Sequence, residues 1–133
     1  MKIFLDSGVL LAGWRRTPLA AAAMAIMEDD TREFCTAQMV KLETLQKARF
    51  EKNRRELEFY ETHFSNTVGC EPLSEDLGIE ADEVAARYGL AGPDALQIAA
   101  AIRQGAVEFY TSEKPGKPMF RVRELKIVSL HSL

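Results

Sequence analysis

The chain has 133 residues, 47% of them hydrophobic, with 17 Lys and Arg against 20 Asp and Glu for a formal net charge of -3. That length suits one domain with a core of its own, and that balance excludes a uniformly basic nucleic-acid binder, so any nucleic-acid contact has to use a local basic patch. Cys35, Cys70, His63 and His131 fall at no ligand spacing, which speaks against a disulfide framework and against a zinc site.

Residues 2–5 contain the apolar run Ile3-Phe4-Leu5 and read as a short buried strand, ending in Asp6 at a strand-to-helix turn. The charge at Asp6 breaks the run and no small-residue cleavage site follows, so it does not read as a secretory leader. Pro18 sits in the first turn of a helix running to about Met27. The apolar stretch from Leu19 is far shorter than the roughly 20 residues that a membrane span needs, and a soluble, cytoplasmic protein is expected. Glu28-Asp29-Asp30-Thr31 is a polar break. Glu33 to Ala37 reads as a second strand, with Cys35 as a small core residue. From Gln38 one long helical pattern extends toward Thr62. Ser65-Asn66-Thr67 is a turn, and Val68 to Glu71 is extended. Ser74 to Gly78 is irregular or opens a helix that is clear from Ala81 to Tyr88. Gly89 to Pro93 separates it from a helix over Asp94–Gln104, stopped by Gly105. Val107 to Thr111 is a third clear strand, Lys114 to Pro118 a loop, and Lys126 to Leu130 a final strand.

Strands that alternate with helices argue a parallel sheet flanked by helices. There is no internal repeat or linker, so residues 1–133 read as one α/β domain. Sheets of that class bind their ligands beyond the C-terminal ends of the strands.

Four acids map to that edge. Asp6 ends the first strand. Glu43 lies early in the helix after the second, Asp94 in the first turn of the helix opened by Pro93, and Glu113 just past the strand ending at Thr111. Each alone has a bland reading as a cap, a complement to a helix dipole or a solvated side chain. Together they form a constellation suited to Mg2+ or Mn2+, hard cations that take carboxylate oxygens. Clustered carboxylates also repel one another, and a divalent ion relieves that repulsion. Such an ion can promote hydrolysis of a phosphodiester.

The motifs Ile3-Phe4-Leu5-Asp6-Ser7-Gly8-Val9-Leu10, Thr36-Ala37-Gln38-Met39-Val40-Lys41-Leu42-Glu43, the segment Tyr88 to Ala101 around Gly92-Pro93-Asp94-Ala95, and Phe109-Tyr110-Thr111-Ser112-Glu113-Lys114 resemble, in order and spacing, the PIN-domain family of metal-dependent ribonucleases. Within it they resemble the VapC-like toxins of toxin–antitoxin pairs. The resemblance implies a PIN-like three-layer α/β/α sandwich with a central parallel sheet. It implies Asp6, Glu43 and Asp94 as catalytic metal-binding acids with Glu113 as the fourth. Ser7 matches a position that often carries a hydroxyl near metal or phosphate. The chain departs from the family in Glu113, where Asp is common, and in Gly8, where many members carry Asn. Those departures motivate the alternative of a degenerate PIN domain that binds RNA or protein without cutting.

Arg15 and Arg16, after the Asp6 turn, are candidate substrate-binding residues. The basic stretch from Lys47 to Arg55 is interleaved with acids and reads equally as a solvated face. Leu57, Phe59, Tyr60 and Phe64 read as core, or as a groove for a partner. The resemblance implies an RNA substrate, an antitoxin protein and a homodimer.

Overall fold

The structure is a computed structural model that describes Met1 to Leu133. β1 (Lys2–Leu5) is the middle strand of the sheet, and Ile3, Phe4 and Leu5 are all fully buried. Such a continuous apolar run is what a parallel strand covered on both faces requires. It pairs with β2 (Glu33–Ala37) on one side and β4 (Glu108–Thr111) on the other. β3 (Thr67–Glu71) extends the sheet beyond β2, and β5 (Lys126–Ser129) extends it beyond β4. The order is β3-β2-β1-β4-β5 and every pairing is parallel. With six helices around it, this is the three-layer α/β sandwich expected from the alternation of elements.

The helices are α1 (Ser7–Arg15), α2 (Ala20–Met27), α3 (Gln38–Phe50), α4 (Arg54–Ser65), α5 (Glu75–Tyr88) and α6 (Gly92–Arg103). The strands at 2–5 and 33–37 lie where the sequence places them. The long pattern from Gln38 is instead two helices, α3 and α4. Lys52 takes a left-handed conformation (φ 53°), and the Asn53 side chain then accepts from the Glu56 N–H to cap α4. Polar side chains of Asn type favour that position because they satisfy an otherwise orphaned N–H. Ser74 caps α5 in the same way through the Leu77 N–H, so that helix begins earlier than its clear apolar part. None of the helices is long and apolar enough to cross a membrane.

The core is one cluster that takes in β1, β2, β4 and the buried faces of the helices. Phe4 and Phe109 stack across the β1–β4 pair with ring centres 5.4 Å apart. Ala95, Ala99, Ala100 and Ala101 are buried on α6, and their small side chains allow the helix close to its neighbours. Cys35 is fully buried, as expected, whereas Cys70 is exposed. Tyr60 is fully buried, and Leu57, Phe59 and Phe64 pack partly against the core.

His63 is a cost within this core. It is 5% exposed, meets Phe34 and Phe64 edge-on, and its Nε2 has no hydrogen-bond partner. Burial lowers its pKa from 6.5 to about 4. The unfolded chain therefore takes up a proton that the folded chain refuses as pH falls from 6.5 to 4. The neutral ring's contribution is complete above pH 6.5 and is lost through that window, by roughly 3 kcal/mol. Exchanging His63→Leu should remove this component. Denaturant titrations at pH 7.5 and pH 4.5 should show the wild type losing more stability than the variant between the two.

Candidate active site

Asp6 leaves β1 in an extended conformation, and its side chain accepts from the Val9 N–H at 3.0 Å, capping α1. Its own N–H still donates to the Tyr110 carbonyl, so the β1–β4 ladder fixes the backbone here. The carboxyl group is only 7% exposed with its residue and pairs with no cation. Burial raises its pKa from 3.8 to about 7, offset in part by the nearby Thr111 hydroxyl and the Val9 N–H, and raised further by the charges of Asp94 and Glu113.

Asp94 lies in the first turn of α6, after Pro93, and is half-buried. Its pKa is also raised, first by burial and then by Glu113. Glu113 follows β4 and is exposed. Three of the expected acids thus share one field at the C-terminal edge of the sheet, and no Lys, Arg or His forms an ion pair with any of them.

Glu43 is not among the charges that act on Asp6 and Asp94, and is tied instead to Ser7 and Gln97. The Ser7 hydroxyl donates to Glu43 Oε1 at 3.2 Å, and Gln97 Nε2 donates to the same oxygen at 2.6 Å. Gln97 Oε1 accepts from the Ser7 N–H at 3.1 Å. A backbone N–H can only donate, so this bond orients the amide and turns its NH2 toward the carboxylate. Gln97 therefore ties the start of α1 to α3 through α6. It is buried in a helix otherwise lined there by Ala and Ile. Its only local trace in the sequence is a polar side chain on an apolar helix face, three residues after Asp94.

Arg15 and Arg16 are both exposed at the end of α1. Arg15 lines a cavity of about 510 Å3 with Gly8, Thr17, Ser112 and His131. Arg16 takes the left-handed conformation that ends α1 (φ 51°) and makes no side-chain hydrogen bond or ion pair to the acids. Thr111, Ser112, Ser129 and His131, none singled out from sequence, surround the Glu113 segment.

No three His, Cys, Asp or Glu side chains converge as a ready-made metal cage. The donors are nevertheless all carboxylate oxygens, with Asp6 and Asp94 partly desolvated, Glu113 acting on both, and no cation of the protein to neutralise them. That fits a hard divalent ion of the Mg2+ type, which binds through one or two carboxylates and keeps several waters.

The PIN-domain family model matches residues 3–114 of the chain. The chain belongs to the PIN-domain family. Its fold is similar to that of VapBC2 from Rickettsia felis bound to a DNA fragment from its promoter (TM-score 0.70, 12% identity, covering 97% of this chain and 98% of that one). It is similar also to a toxin–antitoxin complex from Klebsiella pneumoniae (TM-score 0.70, 16% identity, 96% and 97% covered). A third is Mycobacterium tuberculosis VapC20, a toxin that cleaves the sarcin-ricin loop (TM-score 0.67, 18% identity, 93% and 98% covered). No curated protein matches the chain significantly in sequence.

A PIN domain with these acids is under strain at Asp6. The folded chain holds a proton there that the unfolded chain releases between pH 3.8 and about 7. The wild type therefore loses stability as pH rises through that window. Asp6→Asn keeps an oxygen for the Val9 N–H and removes the buried charge. In EDTA it should melt roughly 3–8 °C above the wild type at pH 8 and close to it at pH 4. Equal melting temperatures at pH 8 would contradict the buried, unpaired carboxylate.

Proposed function

We propose that the chain is a Mg2+- or Mn2+-dependent endoribonuclease that hydrolyses RNA phosphodiester bonds, and that it is the toxin of a toxin–antitoxin pair. The observation that carries this reading is the shared field of Asp6, Asp94 and Glu113, left without a protein cation at the C-terminal edge of a parallel sheet. Membership of the PIN-domain family and likeness to toxin–antitoxin structures support it.

In this reading Asp6 and Asp94 are the inner metal ligands, with Glu43 and Glu113 completing the set of catalytic acids. A divalent ion bound there would stabilise negative charge on the phosphodiester and ease deprotonation of a water. Asp6 is held from moving by the Val9 N–H, and Asp94 by its place in the first turn of α6. Ser7 and Gln97 keep Glu43 turned toward the same edge. Glu113, exposed at the mouth, would complete the site or orient the attacking water. Ser7, Arg15 and Arg16 engage substrate phosphates, the arginines by charge, and binding that rests on such contacts weakens as salt rises.

The antitoxin would occupy a different surface. A cavity of about 720 Å3 between α2 and α4 has Met24, Met27, Phe34 and Phe59 in its wall, with acids and the basic Arg32 and Arg55 around them. That lining suits an apolar segment with polar flanks. We assign the 133 residues to one PIN-like domain, acting in the cytoplasm as a homodimer.

Gly8 and Glu113, the chain's departures from the family's pattern, favour one other reading, a degenerate PIN domain that binds RNA or protein without turnover. The two separate in one experiment. Under the nuclease reading, calorimetry detects Mn2+ binding that Asp6→Asn abolishes. Asp94→Asn then lowers Mn2+-dependent cleavage of total RNA by more than the roughly 10–100-fold typical of losing an outer partner of a metal site, with its circular dichroism spectrum unchanged. Cleavage by Asp94→Asn at the wild-type rate would reject the assignment.

A further inference from the structure

Glu113 is the one acid of the four that neither lies in a helix nor caps one. It lies in a bend beyond β4, it is exposed, and its side chain is long and rotamer-rich. A metal ligand or a water-orienting group in such a place needs its backbone fixed by something else.

Three contacts do so. The Glu113 N–H donates to Thr111 Oγ1 at 3.1 Å. The Ser129 hydroxyl donates to the Glu113 carbonyl at 2.6 Å. His131 Nε2 lies 3.0 Å from the Ser112 carbonyl. A carbonyl only accepts, so this contact assigns the proton to Nε2. The two outer donors are linked in turn, because the His131 N–H donates to Ser129 Oγ at 3.1 Å. They are also anchored. Ser129 ends β5 opposite Thr111 in the β4–β5 register, and Leu130, between the two donors, is buried.

From the other side, α1 approaches Ser112 with nothing between them. A Cβ built on Gly8 would lie 2.2 Å from Ser112 Oγ, 3.3 Å from Ser112 Cβ and 3.2 Å from Asp6 Oδ1. The hydroxyl would have to turn away, and the segment and Asp6 would both be crowded. Gly8 therefore sets how near the Glu113 segment comes to Asp6.

We propose that the chain's last turn is a positioning element of the acid site: Ser129 and His131 clamp the Ser112–Glu113 backbone against Gly8, and so hold Glu113 in reach of the ion bound by Asp6 and Asp94. Both donors lie beyond residues 3–114, which match the family model. The inference deepens the metal-dependent reading above and rests on it.

The test is a set of calorimetric Mn2+ titrations on the full chain, with melting temperatures measured beside them. Ser129→Ala removes two hydrogen bonds, to the Glu113 carbonyl and from the His131 N–H, and His131→Ala removes the one to the Ser112 carbonyl; each should weaken Mn2+ binding about fivefold to tenfold. His131→Gln, whose amide N–H stands where Nε2–H does, should recover most of the loss. In a Glu113→Ala background the Ser129 and His131 substitutions should cost nothing further, because the group they position is gone. Mn2+ affinity lowered by Glu113→Ala but untouched by Ser129→Ala and His131→Ala would overturn the clamp and leave the metal site standing. Equal losses with and without Glu113, tracking a fall in melting temperature, would assign the two residues a merely structural role and also overturn it. Wild-type binding that is absent, or indifferent to Asp6→Asn, would overturn the clamp together with the metal site.

Discussion

Asp6 is a carboxylate removed from water with the Thr111 hydroxyl, one backbone N–H at 3.0 Å, the positive end of a helix and no cation to hold it. A buried charge in that condition costs several kcal/mol unless something neutralises it. The fold tolerates it because β1 is the most enclosed strand of the sheet and leaves no other place for the residue after Leu5 to go. The rest of the site follows from that unpaid charge. Asp94 and Glu113 make it worse, since each raises the pKa of Asp6. Acids gathered against their own repulsion are explained by a ligand that reverses the sign of the interaction, and a divalent cation is the simplest one.

Sheet order explains why these acids meet. With β1 between β2 and β4, the strand ends that carry Asp6 and lead to Glu113 are neighbours, joined by the bond from the Asp6 N–H to the Tyr110 carbonyl. α6 returns the chain to β4 and brings its N-terminal turn, with Asp94, to the same edge. α3 follows β2 and presents Glu43 from the far side. The positive ends of α1 and α6 thus both point toward the acids, which offsets part of the repulsion without supplying the full charge of an ion.

Much of this was legible in the residues. An apolar run ending in Asp6, a Gly-Pro-Asp opening to an Ala-rich helix and a strand ending before Glu113 each marked both an element and its acid. The strand limits of β1 and β2 were readable because a buried parallel strand is a short apolar run with polar ends. The break between α3 and α4 was not. It depends on Lys52 adopting a left-handed conformation, which a residue with no Gly or Pro beside it does not advertise. Gln97 and the Ser129–His131 pair were hidden for another reason. Their roles lie in contacts to residues 54 to 90 and 16 to 19 positions away along the chain. Local pattern does not encode such contacts.

The four acids differ in how firmly they are held, and the difference has a direction. Asp6 is buried and capped, Asp94 is half-buried in a helical turn, and Glu113 is exposed on a bend. Glu43 is bound by Ser7 and Gln97. An ion that keeps most of its waters needs rigid ligands on the protein side and access to solvent on the other. This arrangement supplies both, with the most rigid acid at the floor and the most accessible at the mouth. Flexibility at the mouth is useful only if it belongs to the side chain rather than to the backbone. A Glu in place of a shorter Asp adds a rotatable bond, so its Cα has to be the better fixed. The hydrogen bond to Thr111 and those from Ser129 and His131 meet that requirement at the one acid that neither lies in a helix nor caps one.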